Sequence, residues 1–556
     1  MGREGVARQI LPLMMFASPL LGAAPVLAQA IAPTTGGGAL EDIIVTATRR
    51  EERVQNIPVA VTAMTGDSLR NAGVATVREM TTMVPGFYGG RNALQFQPFI
   101  RGVGSNGALS HDEANVATYI DGIYQPVAQA THVDLVEVAR VEVLRGPQGT
   151  TFGRNATGGL INVITPDPRF DFGGHIDADI GMLDSGQVTA PDLKFRAYMT
   201  GGLTDKLAAD FALLIRRQGG YVKNLVGSNN YGDVNVADFR SKLMWLPNDR
   251  SKIVLTGERY FGESEVNAPQ PLAANTRGKS YGGIVAVRPW QAAVDVKPLF
   301  DEEHYNAALQ THFEFDGVTL ETATSYMHSD AKQNVDADAS NIRLGDLPTQ
   351  RWASGASQEI RLLSNGGGRL NWIVGAYAFM LDTHNISAPG NATFGPAPAF
   401  PITGYTVNAT EGWNKTRSYA GFAEGTYELV ANLFLTLGGR YTTEKKSQIT
   451  NLSVNGVPKL IPSDSTRFNK FTYNGSLRYQ FTEKSNVYVR YGTGFKSGIY
   501  TGTLQPVMTR PEEIKALEGG IKSDPVDWLR VNLSAFHYDY TDLQVTARDP
   551  LTTSYI

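Results

Sequence analysis

VEVLRGPQGTTFGRNATGGLINVIT, residues 141–165, holds five glycines between two strand-like runs. Val141, Val143 and Leu144 form the first run, and residues 160–165 form the second. Gly146, Gly149, Gly153, Gly158 and Gly159 give the backbone freedom to turn sharply or to lie close to other backbone, and Pro147 stiffens the first corner. Arg145 and Arg154 place two fixed cationic forks in this compact stretch. It is not a phosphate loop: residues 153–158 lack the Gly-Lys-Ser/Thr ending, and a strand rather than a helix follows.

Upstream, strands and helices alternate. Residues 43–47 are rich in β-branched side chains, and a free strand of this kind near a terminus can add itself to another protein's sheet edge. Residues 56–65 read as a strand. Residues 66–83 read as one helix, with Leu69, Ala72, Val77 and Met80 on one face and Pro85-Gly86 ending it. Residues 87–97, 104–115 and 124–132 read as polar loops, and 117–123 as a strand with a turn at Asp121-Gly122. This is the pattern of a small α/β domain.

Downstream the period becomes two. Phe471, Tyr473, Leu477, Tyr479 and Phe481 alternate with Thr472, Asn474, Ser476, Arg478, Gln480 and Thr482. Residues 207–215 and 433–441 alternate similarly. A soluble β-sandwich also alternates. Here short turns (201–206, 247–251) take turns with long polar insertions (262–302, 384–415), as in an outer-membrane barrel.

The 556 residues exceed one ordinary domain, and the net charge of −4 carries no long single-sign block, so nucleic-acid binding is not indicated. With 23 Tyr and 24 Phe there are rings enough for interfacial girdles. There is no cysteine, hence no thiol chemistry. Arg3 and Arg8, an apolar run over 10–21 and Ala28-Gln29-Ala30 give the pattern of a cleaved signal peptide, residues 1–30.

No catalytic set is apparent. His111-Asp112-Glu113 reads as a solvated acidic loop rather than a metal site, and Glu512-Glu513 also reads as solvated. Neither Gly-x-Ser-x-Gly nor His-Glu-x-x-His occurs, so neither an enzyme nor a cofactor is expected.

The stretches 42–47, Ile100-Arg101-Gly102, Tyr119-Ile120-Asp121-Gly122, 141–149, 152–165, 488–496 and 511–522 together resemble TonB-dependent outer-membrane receptors. The resemblance implies a transmembrane antiparallel β-barrel with an N-terminal α/β plug domain inside its lumen. The plug covers residues 48–168, after a flexible lead (31–47), and the barrel runs from 169 to 556. A TonB box is implied at Asp42, Ile43, Ile44, Val45, Thr46 and Ala47. A plug–barrel latch is implied between Arg101 and Arg145 of the plug and wall glutamates, with Glu518 and then Glu424 as partners. Gly102 joins Gly146, Pro147, Gly149, Gly153, Gly158 and Gly159 as plug turns. Ligand would meet the plug apices at Arg91, Gln95, Asn106, His111, Tyr124, Gln125 and His132.

The implied activity is uptake of a scarce ligand such as a ferric siderophore, with an oligosaccharide or another small organic compound also open. TonB and its inner-membrane energising complex are the implied partners, and outer-membrane lipid the surroundings. A passive porin or a phage or bacteriocin attachment protein are the rivals; a porin needs neither plug nor box. Such receptors have about 22 strands, whereas about fifteen or sixteen are discernible here. The barrel is therefore expected to be incomplete at the C-terminus.

Overall fold

The computed structural model describes residues 43–46, 48–92, 95–105, 113–127, 135–265, 279, 282–336, 339–342, 348–387, 408–454, 456–500 and 508–545. The candidate signal peptide lies outside the described residues.

The front domain is built on a five-stranded sheet in the order Val61–Thr65, Arg140–Arg145, Gly159–Ile164, Val116–Ile120, Ile123–Gln125. All neighbours are antiparallel except Gly159–Ile164 against Val116–Ile120. The two ends of the quoted stretch thus pair directly, Val143 opposite Ile161. Both are buried between apolar layers. Met64, Leu69, Met80, Val141, Val143 and Ile161 share one cluster; Val45, Ile57, Leu144, Phe152 and Leu160 share another. Burial on both faces is why these strands read as continuous apolar runs. Each such side chain contributes about 1.5–3 kcal/mol by leaving water.

Two local expectations are corrected. The single helix expected over 66–83 is a short α-helix, Gly66–Asn71, followed by a 3-10 turn, Val77–Thr82. Gly73, at φ +70°, stops the first, and Thr76 with Glu79 starts the second through a reciprocal capping box. The loop expected over 87–97 is a hairpin, Phe87–Asn92 against Gln95–Ile100. Phe87, Phe96 and Ile100 anchor it in the plug core, so its polar residues misled the reading.

The rest forms one sixteen-stranded sheet running from Gly173–Asp184 to Leu529–Thr541. Its pairings are antiparallel throughout, and Val457–Leu460 is a side strand on Leu433–Val454. Among the described residues the first and last strands do not pair with each other. Connections at one rim are short, as at 203–206, 249–250, 431–432 and 483–484; those at the other are mostly long, as at 265–298 and 388–407.

The wall is inverted relative to a soluble domain. Phe471, Tyr473, Leu477, Tyr479 and Phe481 are all exposed on the outer face, Phe471 by 62%. Lys242, Glu444, Lys446 and Glu518 are buried and turned toward the plug, where Asp121, Arg154, Glu113 and Arg101 meet them. Apolar outside and charged inside is a lipid-facing barrel wall around a plug.

Candidate functional site

The segment just before the plug is folded in rather than free. Ile44–Val45 pairs antiparallel with Glu52–Arg53, and Val45 is fully buried. Thr46 is held from the middle of the sheet. Its backbone N–H and its Oγ1 both donate to Glu142 Oε1, at 2.9 and 3.2 Å. Glu142 is itself 0% exposed and receives Arg140 Nε at 2.8 Å and Asn162 Nδ2 at 3.4 Å. A carboxylate kept buried must be paired in this way. Asp42 and Ala47 lie outside the described residues.

Arg49 and Arg50 then tie the chain to the wall. Arg49 donates to Gly122 O at 2.9 Å, pairs with Glu359 at 3.4 Å and lies 4.3 Å over the Phe152 ring. Arg50 donates to Ser364 O at 2.9 Å and to Trp372 O. Beside this segment, toward the short-turn rim, lies a cavity of about 1490 Å³ lined by Ile44, Thr46 and wall residues including Glu321, Arg361 and Arg490.

Arg101 sits in a left-handed turn (φ +53°) with Gly102 (φ +80°). The turn aims its guanidinium at the wall: Glu518 Oε2 at 2.6 Å, Tyr538 Oη at 2.8 Å and Ser534 Oγ at 3.1 Å. Phe536 lies beneath it at 4.0 Å. Burial opposes the charge on Arg101, yet Glu518 and Tyr538 outweigh it and raise its pKa.

Arg145, expected on a wall glutamate, is not on one. It donates to Thr62 Oγ1 at 3.2 Å and Pro85 O at 3.4 Å, both in the plug. The reason is occupancy. The Glu518 carboxylate already accepts Arg101, Ala60 N–H and Tyr488 O–H. Burial, and then repulsion from Arg101, lower the Arg145 pKa. Glu424 meets neither arginine; it accepts from Asn474 Nδ2 at 2.9 Å and Thr151 Oγ1 at 3.5 Å.

A second charged seam was missed. Glu113, expected in a solvated loop, is only 6% exposed. It receives Arg154 Nη2 at 2.5 and 2.6 Å, Lys446 Nζ at 2.8 Å and Asn155 Nδ2. Burial pushes its carboxyl up, but Arg154 and Lys446 win and hold it at about 2. Arg154 also reaches Glu444 at 3.1 Å. Glu512, likewise expected to be solvated, is 1% exposed and accepts from Asn115 Nδ2 at 2.5 Å, Tyr540 Oη at 2.7 Å and Gln544 N–H at 2.7 Å. The signal available was weak: a Glu in a polar loop, and an Arg inside a glycine-rich run.

The glycine corners allow plug and wall to touch. Gly149 lies against the wall so closely that a Cβ would stand 2.8 Å from Gly494 Cα and Thr493 O. Gly159 has φ +143°, and its Cβ would stand 2.1 Å from Leu144 O. Pro147 offers its carbonyl to Arg490 at 3.1 Å, Gly146 and Gly153 lie against Tyr538 and Arg440 of the wall, and Gly158 lies against Val103 within the plug.

Of the expected apices, Asn106, His111 and His132 lie outside the described residues, and Arg91 and Gln95 are described in backbone only. Tyr124 is half-buried and Gln125 is buried. Tyr124 packs edge-on to Phe379 at 5.8 Å and receives Asn155 Nδ2 at 3.1 Å. Phe379, Leu381 and Val127 form an apolar seam that draws this hairpin against the wall.

These features define a class: a plugged transmembrane barrel whose two bodies meet through polar latches. Residues 53–160 match the TonB-dependent receptor plug domain, and residues 244–556 match the family described as TonB dependent receptor-like, beta-barrel. The chain belongs to the TonB-dependent receptor family, whose members are outer-membrane β-barrel proteins. The pesticin receptor of Yersinia pestis is 24% identical over 486 residues, which cover 82% of this chain and 64% of that protein. A hemin receptor of Yersinia pestis is 26% identical over 49% of this chain and 40% of its own length. The chain therefore spans a little under two thirds of the pesticin receptors it matches. Among solved structures, the ferric yersiniabactin uptake receptor FyuA from Yersinia pestis superposes with TM-score 0.74 at 20% identity, covering 88% of this chain and 73% of that one. The siderophore receptor PiuA from Acinetobacter baumannii gives 0.70 at 16% identity, over 90% and 74%.

Proposed function

We propose that this protein takes up a scarce ligand across the Gram-negative outer membrane, powered by TonB, after export by a cleaved signal peptide. The observation that carries the reading is the sequestered strand: residues 43–46 are seated on Glu142 beside a polar cavity at the short-turn, periplasmic rim. Ligand arriving from the long-loop side disturbs the plug and frees this strand to pair with an edge of TonB. Force from the inner-membrane energising complex then works on the plug, whose contacts with the wall include ion pairs and hydrogen bonds that water can replace. Relatives named as siderophore, hemin and pesticin receptors support ligand uptake, with a ferric siderophore as the favoured cargo. The pesticin receptors also favour bacteriocin attachment as a second use of the same surface.

Deleting residues 42–47 tests the reading. Uptake of the ligand should be lost while its binding to whole cells survives; undiminished uptake refutes it.

A further inference from the structure

Side chains of the inner wall form a chain of alternating charge that ends on the plug. Lys252, His312, Glu321 and Arg361 stand in one row, each directly opposite the next on four neighbouring strands. All four line the cavity beside residues 43–46, near the short-turn rim. His312 Nδ1 lies 3.1 Å from Glu321 Oε1, and Arg361 Nη2 donates to Glu321 Oε2 at 2.8 Å. Arg361 Nη1 donates to Glu359 Oε1 at 3.0 Å, and Glu359 Oε2 accepts from Arg49 Nη2 at 3.4 Å. Each carboxylate is shared between two partners, and the last link, to Arg49, is the longest.

Glu321, Arg361, Glu359 and Arg49 balance one another in charge, so a proton on His312 adds an unmatched cation to the row. The other charges facing the ring do not absorb it. Lys252 is itself positive and is held by Asp167 at 2.9 Å; Glu314, two residues along the same strand, is exposed and screened by water. A neutral imidazole gives Glu321 one uncharged hydrogen bond at most, whereas the protonated ring gives a charge-assisted one, roughly twice as strong. Glu321 then leans to the histidine, Arg361 turns its donors to Glu359, and Arg49 loses its share. The added charge also repels the Arg49 guanidinium directly, so both effects have the same sign.

We propose that His312 is a positioning residue for the sequestered strand: acid on the short-turn side charges it, weakens the grip of Glu359 on Arg49 and eases release of residues 43–46. Histidine ordinarily changes charge between about pH 5 and 8. The proposal rests on the reading of residues 43–46 as the segment that TonB takes.

Release is read from maleimide labelling of the full chain with Val45→Cys as its sole thiol. Each rate is divided by that of Leu460→Cys, a 91% exposed position, at the same pH. From pH 7.5 to 5.5 the corrected rate should rise about three- to fivefold, the scale of one half-exposed ion pair. H312Q in this background should hold the pH 7.5 rate at both values. E321Q, which keeps the histidine but cuts the relay, should flatten the profile too, and H312Q/E321Q should be no flatter than either. A rate that is level or falls in acid with His312 and Glu321 in place, or the full rise in H312Q or in E321Q, overturns the proposal. The profile needs neither partner nor cargo, so its failure is distinct from undiminished uptake in the 42–47 deletion, which refutes the function itself.

Discussion

Replacing Glu142 by Gln should loosen the seat of residues 43–46 without altering its shape. The carboxylate accepts both the N–H and the Oγ1 of Thr46, and Arg140 and Asn162 hold it in place. Hydrogen bonds to a charged acceptor contribute about 1.5–3 kcal/mol each. The amide can keep one of them in neutral form, so a net loss of about 1.5–3 kcal/mol is expected. That shifts the seated-to-released equilibrium by roughly 10- to 150-fold, because what remains is a two-residue strand pairing and the burial of Val45. The absence of cysteine allows a direct assay. With Val45→Cys as the sole thiol, maleimide labelling requires release, and its rate should rise at least tenfold in E142Q, with plug unfolding followed separately because Arg140 and Asn162 lose the same carboxylate. Equal rates in the two backgrounds would refute the seat. T46A should act through the same contact, so T46A/E142Q should add little to either.

Glu518→Ala should destabilise plug seating by about 3–5 kcal/mol by stranding buried Arg101, and E518A/R101A by less, as read from protease sensitivity of the plug. Arg145→Ala should have a smaller effect on seating than Arg101→Ala, because Arg145 bonds only within the plug. Glu113 gives a pH window. Its folded carboxyl is depressed from 4.5 to about 2, so its stabilisation is fully present above the unfolded value and disappears as pH falls from about 4.5 toward 2. Up to roughly 3 kcal/mol is involved, and in E113Q the thermal midpoint should start lower and fall less steeply with pH in that window, the remaining slope coming from other paired carboxylates such as Asp121. Gly159→Ala should prevent correct plug assembly, since both its φ and the Leu144 carbonyl exclude a Cβ; a native-like, detergent-resistant protein would contradict this.

The barrel was legible because its signal is local. Phe471 to Phe481 mark one apolar face by alternation, and the short turns set against long insertions make it a barrel's; the glycine corner between residues 145 and 160 carries the resemblance to a plug. The seams were not legible, for the opposite reason. Glu113 meets Lys446 across 333 residues, and Asn115 meets Glu512 across 397, so nothing near either glutamate forecasts its burial. Family resemblance supplied two arginines and two glutamates but not their pairing. Only the competing donors around Glu518, Ala60 N–H and the Tyr488 hydroxyl, explain why one arginine reaches it and the other turns back to its own domain.

The two wall anchors that follow the sequestered strand have a mechanical consequence. Arg49 grips Glu359 and Arg50 grips Ser364 and Trp372, all on the surrounding cylinder, before the chain enters the plug proper. Tension applied at residue 44 is met first by the plug sheet, through Thr46 on Glu142, and then by the wall, through Arg49 and Arg50, so the two bodies share the load.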